Sequence, residues 1–325
     1  MDTAFATDHN GVRQTCVAAK SLIEANKNEA GLVIWFLLSK DVDGDDRQRL
    51  IGLAEGMPRV EIKCVDAASV LETYRPQMES YVRQWPLAAF TRLFVDVLLP
   101  ESVKIILYID IDTLVTDSVQ PLFNLDMKGA LFGAVPEADF KTSNGRYERL
   151  GFTRDVPFYF NSGVLLMNLD DYRKAGGHEE ALRILDKIKD RIVTPDQDIM
   201  NYIGKGRTLA LHPRWNHNDG LLVKQFTISG LPGHTYRGKI GREILEAIVS
   251  PGIIHYMGQH KPWRYNHRPE RKRYARAMES LGWSTECLRG DTFSQKTELI
   301  FFDVLHWILF RIATLRVRLG KVTGK

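Results

Sequence analysis

The sequence predicts an α/β domain in which helices cover both faces of a mostly parallel sheet, followed by a basic, apolar and helical extension. Two observations carry this prediction. Apolar blocks with the length of buried strands alternate with helix-like segments through the first half of the chain. Basic residues then become frequent only after Trp263. We therefore expect one domain at 1–263 and an extension at 264–325.

The strand and helix signals follow one another with short connections, which favours parallel pairing. The clearest strands are 31–38 (GLVIWFLL) and 104–109 (KIILYI), whose uninterrupted apolar runs are typical of strands buried on both faces. Further strands are expected at 3–7, 60–65, 160–168 and 253–256. Helices are expected around Val17 and Leu22 and at 45–54, 88–99, 179–189 and 196–203.

Composition excludes several classes of protein. Of the 325 residues, 44% are hydrophobic and 26% charged, which argues against wholesale disorder. A net charge of +4 is too small to indicate nucleic-acid binding. Cys16, Cys64 and Cys287 form no CxxC pair, so neither a disulfide framework nor a zinc knuckle is expected. The chain begins without a signal-peptide pattern and has no run of about 18 apolar residues, so we expect a cytoplasmic protein.

The most informative motif is IILYIDIDTLV at 105–115, where an apolar strand runs into two carboxylates, Asp110 and Asp112. In open α/β sheets ligands bind beyond the carboxyl ends of the strands. Two ionised carboxylates this close repel each other unless a cation lies beside them. Oxygen ligands of this kind suit Mg²⁺ or Mn²⁺ bridging to a phosphate. The motif therefore predicts a divalent-cation site.

The same string admits a second interpretation. Asp110-Ile111-Asp112-Thr113 also fits the D-x-D-x-T motif of haloacid-dehalogenase-type phosphatases. Asp110 would then be a phosphorylated nucleophile and Asp112 a general acid and base. That family places the motif near the start of its domain, whereas here about a hundred residues precede it. It also needs an acidic pair after a later strand, but Asp196 and Asp198 open a helix. It stays the alternative.

Four further segments carry polar groups at strand or helix ends: FATDHN at 5–10, FYFNSGVLLMN at 158–168, TPDQDIMN at 194–201 and HYMGQHKPW at 255–263. Together with the paired aspartates and a helix containing Arg92, this ordered set resembles the bacterial family 8 glycosyltransferases. These are retaining enzymes of the GT-A type that include lipopolysaccharide and lipooligosaccharide galactosyl- and glucosyltransferases. The resemblance runs over 3–263, about four-fifths of the chain. It implies a single GT-A-type, Rossmann-like domain.

The resemblance also implies a role for each motif in binding a UDP-sugar, UDP-galactose or UDP-glucose. Mn²⁺, with Mg²⁺ as the alternative ion, would be held by Asp110, Asp112 and His255. Gly258 and Lys261 would contact the diphosphate, and Lys261 would neutralise the charge that develops on it. The remaining residues would line the uridine pocket, namely Ala6, Thr7, Asp8 and Asn10, or surround the donor sugar, namely Arg92, Asn161, Ser162, Asp196 and Gln197.

One departure from the family concerns the uridine pocket. Many relatives carry an aromatic residue after the asparagine of the first motif, where it can stack on uracil, but this chain has Gly11.

The stereochemical course of the transfer is left open by the sequence. A double displacement needs a carboxylate near the anomeric carbon, and the family offers the amide of Gln197 there. Both a double displacement and a front-face substitution therefore stay open.

The extension predicts a membrane contact. Six Arg or Lys residues stand against one Glu at 264–276, and five without any acid follow at 304–325, among large apolar side chains. This composition is typical of an interfacial helix on an anionic membrane. The alternative is a helix docked on the protein's own core. We expect a peripheral protein at the inner face of the cytoplasmic membrane that acts on a lipid-linked or oligosaccharide acceptor and binds no nucleic acid.

Overall fold

The computed structural model describes residues 1–82, 85–127, 129–137, 146–152, 156, 158–218, 239–258, 261–265 and 270–285, and the single positions 297, 304, 308, 311 and 315. The chain divides into two compact units. The first comprises Met1–Ala19, Asn26–Ile111 and Val119–Leu211, and the second comprises Lys20–Ala25, Asp112–Ser118 and His212–Lys325. The predicted boundary between residues 263 and 264 falls inside the second unit and stays a prediction.

The first unit is built on a seven-stranded sheet in the order β3-β2-β1-β4-β7-β6-β8. Its strands are β1 Asp2–Thr7, β2 Leu32–Leu38, β3 Val60–Asp66, β4 Ile105–Ile109, β6 Phe132–Pro136, β7 Phe160–Asn168 and β8 Thr208–Ala210. Strands β1 to β4 are parallel, β7 runs antiparallel to β4 and β6, and β8 is parallel to β6. The prediction of an α/β fold with a mostly parallel sheet is confirmed.

Helices pack against this sheet, and both faces of its central strands are buried. In β2, adjacent residues Trp35, Phe36 and Leu37 point to opposite faces, and all three are buried. The helices that begin in this unit are α1 Val12–Ala25, α2 Gly44–Gly52, α3 Ala68–Val82, α4 Val95–Leu98, α5 Gln120–Phe123, α6 Arg146–Leu150, α7 Leu169–Lys174, α8 Gly177–Ile188 and α9 Pro195–Ile203. The apolar run of β2 is therefore explained by double-sided burial.

The segment predicted as a helix at 88–99 has a different structure. It forms a 3₁₀ helix at Leu87–Phe94, followed by the short α4. Five consecutive residues, Phe90, Thr91, Arg92, Leu93 and Phe94, are buried. The middle of the segment is thus enclosed, and its first turn closes with a hydrogen bond from the Ala89 amide to the Pro86 carbonyl, the i to i+3 spacing of a 3₁₀ turn. The tight turn carries Arg92 into the interior.

The second unit contains a small sheet in the order β5-β10-β9, formed by β5 Thr113–Val115, β10 Ile253–His255 and β9 His217–Asn218. Strand β10 is antiparallel to β5, with His255 opposite Thr113. Helix α10, Lys239–Val249, lies between β9 and β10 in the chain, and helix α11, Arg271–Glu279, follows β10. The buried Tyr274 of α11 packs its ring 5.5 Å from the rings of both Tyr256 and Trp263. This packing fixes α11 beside the end of β10.

Most of the predicted membrane-binding tail lies outside the described residues. The described tail positions Val304, Ile308, Arg311 and Leu315 are helical and exposed. Among the described helices, none combines the length and the apolar character that crossing a bilayer requires.

Candidate active site

The first part of the candidate site forms where β4 ends, in the first unit. The backbone of Asp110 is held beside β7, since its amide donates to the carbonyl of Gly163 at 2.8 Å. The Asp110 carboxylate accepts a hydrogen bond from Arg92 Nη2 at 2.6 Å. Arg92 also donates through Nη1 to the Ser162 carbonyl at 2.6 Å and to Ser162 Oγ at 2.9 Å. One buried guanidinium therefore connects the D-x-D motif to the Asn-Ser-Gly motif.

The charge on Arg92 is balanced by two carboxylates. Its Nε lies 3.2 Å from Asp196 Oδ2, and its guanidinium stands 4.7 Å above the ring of Tyr108. Burial acts against the charged form, but Asp110 foremost, with Tyr108 and Asp196, outweighs burial and raises the pKa of Arg92 above its ordinary value. Arg92 is therefore a permanent cation that ties together residues of three motifs.

Asn161, Ser162, Asp196 and Gln197, which the sequence analysis assigned to the donor sugar, are in direct contact. Ser162 Oγ donates to Asp196 Oδ2 at 2.9 Å. Gln197 Oε1 accepts hydrogen bonds from Asn161 Nδ2 at 2.9 Å and from the Ser162 amide at 3.2 Å. Strand β7 supplies Asn161 and Ser162, and the first turn of α9 supplies Asp196 and Gln197. The fold thus joins two motifs that are 35 residues apart between Ser162 and Gln197.

Sequence reasoning missed three side chains of this network. The amide nitrogen of Gln197 donates to the Tyr159 hydroxyl at 3.0 Å and to Glu137 Oε1 at 3.1 Å. The Tyr159 hydroxyl donates to Asp198 Oδ1 at 2.6 Å. Tyr159 and Asp198 lie within the motifs quoted above. Their closeness in sequence to Asn161 and Gln197 could have indicated that they belong to the same network. Glu137, at the end of β6, offered none.

The first motif occupies the end of β1. Ala6 and Thr7 are buried, Asn10 is exposed, and Asp8 is half-buried. Asp8 caps the 3₁₀ helix His9–Gly11, because its Oδ1 accepts a hydrogen bond from the Gly11 amide at 2.8 Å. Asp8 also lines a cavity of about 240 Å³. Other residues of that cavity include Lys40, Glu72, Arg75 and Pro86.

Gly11 is closely surrounded. A Cβ atom at this position would lie 2.7 Å from Ile111 Cδ1 and 2.8 Å from Thr7 Oγ1. A Cβ atom does not approach other atoms this closely, so a side chain at position 11 requires the Ile111 and Thr7 side chains to shift. An aromatic residue at position 11 would therefore need a rearrangement of these neighbouring side chains.

The second part of the candidate site belongs to the second unit and centres on Asp112. His255 Nε2 lies 3.1 Å from Asp112 Oδ1, and Lys261 Nζ donates to Asp112 Oδ2. The Tyr256 amide donates to the Asp112 carbonyl at 2.8 Å, which continues the pairing of β5 with β10. Burial alone would raise the pKa of the Asp112 carboxyl, but His255 and Lys261 outweigh burial and hold that pKa well below its ordinary value.

The His255 ring has a fixed orientation. Its Nδ1 lies 2.9 Å from Oδ1 of the buried Asn216, an acceptor, so Nδ1 carries a proton. Nε2 then faces the Asp112 carboxylate. Imidazoles that bind metals typically donate their other N–H to such a partner. An oxygen from Asp112 and a nitrogen from His255 are therefore a donor set that fits a divalent transition-metal ion such as Mn²⁺.

The described structure thus gathers the predicted residues into three groups. Ala6, Thr7, Asp8 and Asn10 cluster at the end of β1, and the network around Arg92 includes Asp110, Asn161, Ser162, Asp196 and Gln197. The third group joins Asp112, His255 and Lys261, near the turn at Gly258. Gly258 is exposed and has a φ of 81°, a conformation that favours glycine. Asn216, the partner of His255, had no signal in the sequence.

Comparisons with known proteins identify related sequences. The family model of glycosyl transferase family 8 matches residues 2–267. General stress protein A of Bacillus subtilis is 32% identical over 88% of this chain and 95% of its own length. The lipopolysaccharide 1,2-glucosyltransferase of Escherichia coli is 29% identical over 89% of this chain and 80% of its own length.

A solved structure shares the fold. The galactosyltransferase LgtC, in complex with donor and acceptor sugar analogues, superposes with a TM-score of 0.71 at 22% identity and covers 92% of this chain and 100% of its own. The family match over residues 2–267 also disfavours the dehalogenase-type phosphatase, in which Asp110 would be a nucleophile. The chain belongs to glycosyl transferase family 8.

Proposed function

We propose that this protein transfers galactose or glucose from UDP-galactose or UDP-glucose to a bacterial surface glycan such as lipopolysaccharide, with retention of configuration and with Mn²⁺. Two relatives support the sugar and the acceptor. The Escherichia coli relative is named as a lipopolysaccharide glucosyltransferase, and LgtC is a galactosyltransferase. UDP-hexose is accordingly the proposed donor class.

The observation that carries the proposal is the set of contacts around Asp112. This carboxylate has an oriented imidazole on one oxygen and a lysine on the other. Asp110 stands two residues earlier in the chain, and the family resemblance adds it as a second carboxylate. We assign Asp110, Asp112 and His255 as the ligands of the ion. When bound, a divalent ion would neutralise the diphosphate of the donor.

Lys261 supplies the remaining charge. In the resting protein its ammonium group is bound to Asp112 and to the Tyr256 carbonyl. We infer that Lys261 exchanges these partners for the diphosphate as the donor binds, so that its positive charge opposes the negative charge developing on the leaving group. The exposed Gly258 lets the backbone come close to the phosphates. Ala6, Thr7, Asp8 and Asn10 bind the uridine.

The network in the first unit binds the donor sugar. Arg92 holds Asp110, Ser162 and Asp196 in fixed positions, and the Gln197 amide is hydrogen-bonded to Asn161 beside them, so that a sugar hydroxyl binds the amide by replacing one of its present partners. Such directed polar groups suit sugar hydroxyls. Their preorganisation avoids the free-energy cost of ordering them during the reaction.

The direct experiment measures UDP release from UDP-galactose and UDP-glucose with Mn²⁺ and without acceptor. A retaining transferase hydrolyses its donor slowly, and D112N should abolish this hydrolysis. The matched control is D45N, because Asp45 is an exposed aspartate in the first turn of α2. H255A should also lose the preference for Mn²⁺ over Mg²⁺ that a nitrogen ligand creates. Release of phosphate from monoesters instead of UDP release would contradict the proposal.

We further propose that the C-terminal tail binds the anionic inner face of the cytoplasmic membrane. Val304, Ile308 and Leu315 have exposed fractions of 52%, 41% and 61%. Their separations of four and seven residues put them on one side of a helix. This apolar side, together with the basic residues of the tail, has the composition of an interfacial helix. These exposed side chains favour the membrane over a docked helix.

The membrane assignment is tested with the triple variant V304D/I308D/L315D and vesicles with and without anionic lipid. The wild type should sediment with the anionic vesicles, and less so as salt is raised. The variant should stay in the supernatant while its UDP release remains that of the wild type. Unchanged sedimentation of the variant would refute this role of the tail.

A further inference from the structure

We propose that Tyr159 is a positioning residue that fixes the orientation of the Gln197 amide in the donor-sugar site. The inference rests on the proposed function, because it assumes that Gln197 faces the sugar. Tyr159 itself is wholly buried at 0% exposure. It therefore acts through its neighbours.

The direction of each hydrogen bond follows from Asp198. This aspartate is fully buried, and its Oδ2 accepts hydrogen bonds from the amides of Val193 at 2.8 Å and Thr194 at 3.0 Å. Amide N–H groups can only donate, so Oδ2 is an acceptor, and Arg149 Nη2 at 3.5 Å from the same oxygen favours the ionised carboxylate, which has no proton to donate. Its other oxygen, Oδ1, lies 2.6 Å from the Tyr159 hydroxyl. Tyr159 must therefore give its only proton to Asp198.

This leaves the Tyr159 oxygen as an acceptor for Gln197. The group at 3.0 Å from it must be the donor, which is the Nε2 end of the amide. The same end faces Glu137 Oε1 at 3.1 Å. A reversed amide would set its oxygen against the Tyr159 oxygen and the Glu137 carboxylate. It would also set its N–H₂ group against two donors, Asn161 Nδ2 and the Ser162 amide. Only one orientation satisfies all of these groups.

The orientation matters for the reaction because a primary amide presents a lone pair at one end and N–H groups at the other. A sugar hydroxyl that replaces Asn161 or Glu137 as a partner of the amide is bound in one orientation and opposed in the other. Loss of the Tyr159 hydroxyl removes one of the groups that favour one orientation of the Gln197 amide over the other. The expected effect is a lower kcat with little change in the KM for the donor, because the bound sugar would then often meet a misoriented amide.

The test is a double-mutant cycle with Y159F, Q197A and Y159F/Q197A, read as kcat and KM of UDP-sugar hydrolysis. Y159F should lower kcat by about three- to tenfold, the range expected for one hydrogen bond. In the Q197A background the same change should lower kcat by less than about twofold, because the amide that Tyr159 orients is gone.

A matched control is Y172F. Tyr172 is also wholly buried, and its hydroxyl donates to a backbone carbonyl, that of Leu93, at 2.9 Å. The effects of Y172F and Q197A should therefore be additive.

A parallel double-mutant cycle, read as the midpoint of unfolding in urea, tests the contact between Tyr159 and Gln197 without an activity measurement. If Y159F fails to fold, 3,5-difluorotyrosine at position 159 keeps the hydroxyl but weakens its oxygen as an acceptor, and kcat should still fall.

The outcomes of these experiments distinguish failure of the positioning role of Tyr159 from failure of the proposed transferase function. Non-additive losses in both cycles support the role of Tyr159. Additive losses of kcat, or a Y159F effect confined to stability, would overturn it while the transferase assignment stands. A wild-type protein that releases no UDP overturns the proposed function and the positioning role together, whatever coupling the unfolding cycle finds.

Discussion

Replacing Arg92 perturbs the most highly connected side chain of the network that we propose binds the donor sugar. The variant R92Q keeps a polar side chain of moderate length but removes the positive charge. Its two carboxylate partners, Asp110 and Asp196, then lose the cation at 2.6 and 3.2 Å. The variant R92K keeps the charge but cannot reach both carboxylates with one ammonium group. The two substitutions therefore separate the charge from the geometry of the guanidinium.

The magnitude follows from burial. The Arg92 side chain is only 5% exposed, and that of Asp196 is 9% exposed. Removing one partner of a buried ion pair costs about 3–5 kcal/mol of unfolding free energy, because an uncompensated charge stays behind. R92Q should lose that amount. R92K should lose about 1–3 kcal/mol, the equivalent of one charge-assisted hydrogen bond.

The assay is urea unfolding followed by tryptophan fluorescence, together with UDP release at saturating donor. The control is R183Q. Arg183 pairs with Glu180 at the surface, where its side chain is 61% exposed, so its loss should cost at most about 1 kcal/mol. Both Arg92 variants should lose activity, R92Q more completely. If R92Q unfolds within about 1 kcal/mol of the wild type, the network does not hold the site together as argued.

Three further predictions concern other groups. D110N and D112N should each abolish Mn²⁺-dependent binding of UDP-sugar in titration calorimetry, and either variant binding like the wild type would refute the ligand assignment. The pKa of His9 is raised by its hydrogen bond to Asp46 and by the charge of that residue. The pair therefore stabilises the fold below about pH 6.5, and this stabilisation is lost as pH rises through the raised pKa. The melting temperature of the wild type relative to that of H9Q should fall over that pH range. Burial raises the pKa of Cys16 to about 12, so a thiol reagent at about pH 8 should leave it unmodified in the native protein, as judged by mass spectrometry.

Much of the fold could be predicted because its central strands are buried on both faces, which leaves an uninterrupted apolar signal. The elements that were missed carry weaker signals. Strands β5 and β9 have three and two residues, too few for any periodicity. Helix α3 contains Pro76, a residue type that normally ends a helix, so the sequence of this segment did not indicate a helix. Tertiary packing, not local preference, determines these parts.

For the site, the sequence revealed the members of each motif but not their partners. Asp196 and Gln197 were evident from their polar positions at a helix start. Glu137, which binds Gln197, lies 60 residues away in the chain and has an ordinary sequence environment. Asn216 likewise binds His255 across 39 residues. Only folding brings such pairs together, and a single sequence contains no measure of their proximity.

The closed space around Gly11 limits how this protein could change. An aromatic residue introduced at position 11 alone would contact the Ile111 and Thr7 side chains too closely. Such overpacking would lower the stability of the fold, which would offset any affinity gained from stacking on uracil. A smaller residue at position 111 would remove only one of these two contacts. Positions 7, 11 and 111 are therefore expected to change together, and a library that varies all three samples combinations that a library at position 11 alone does not contain.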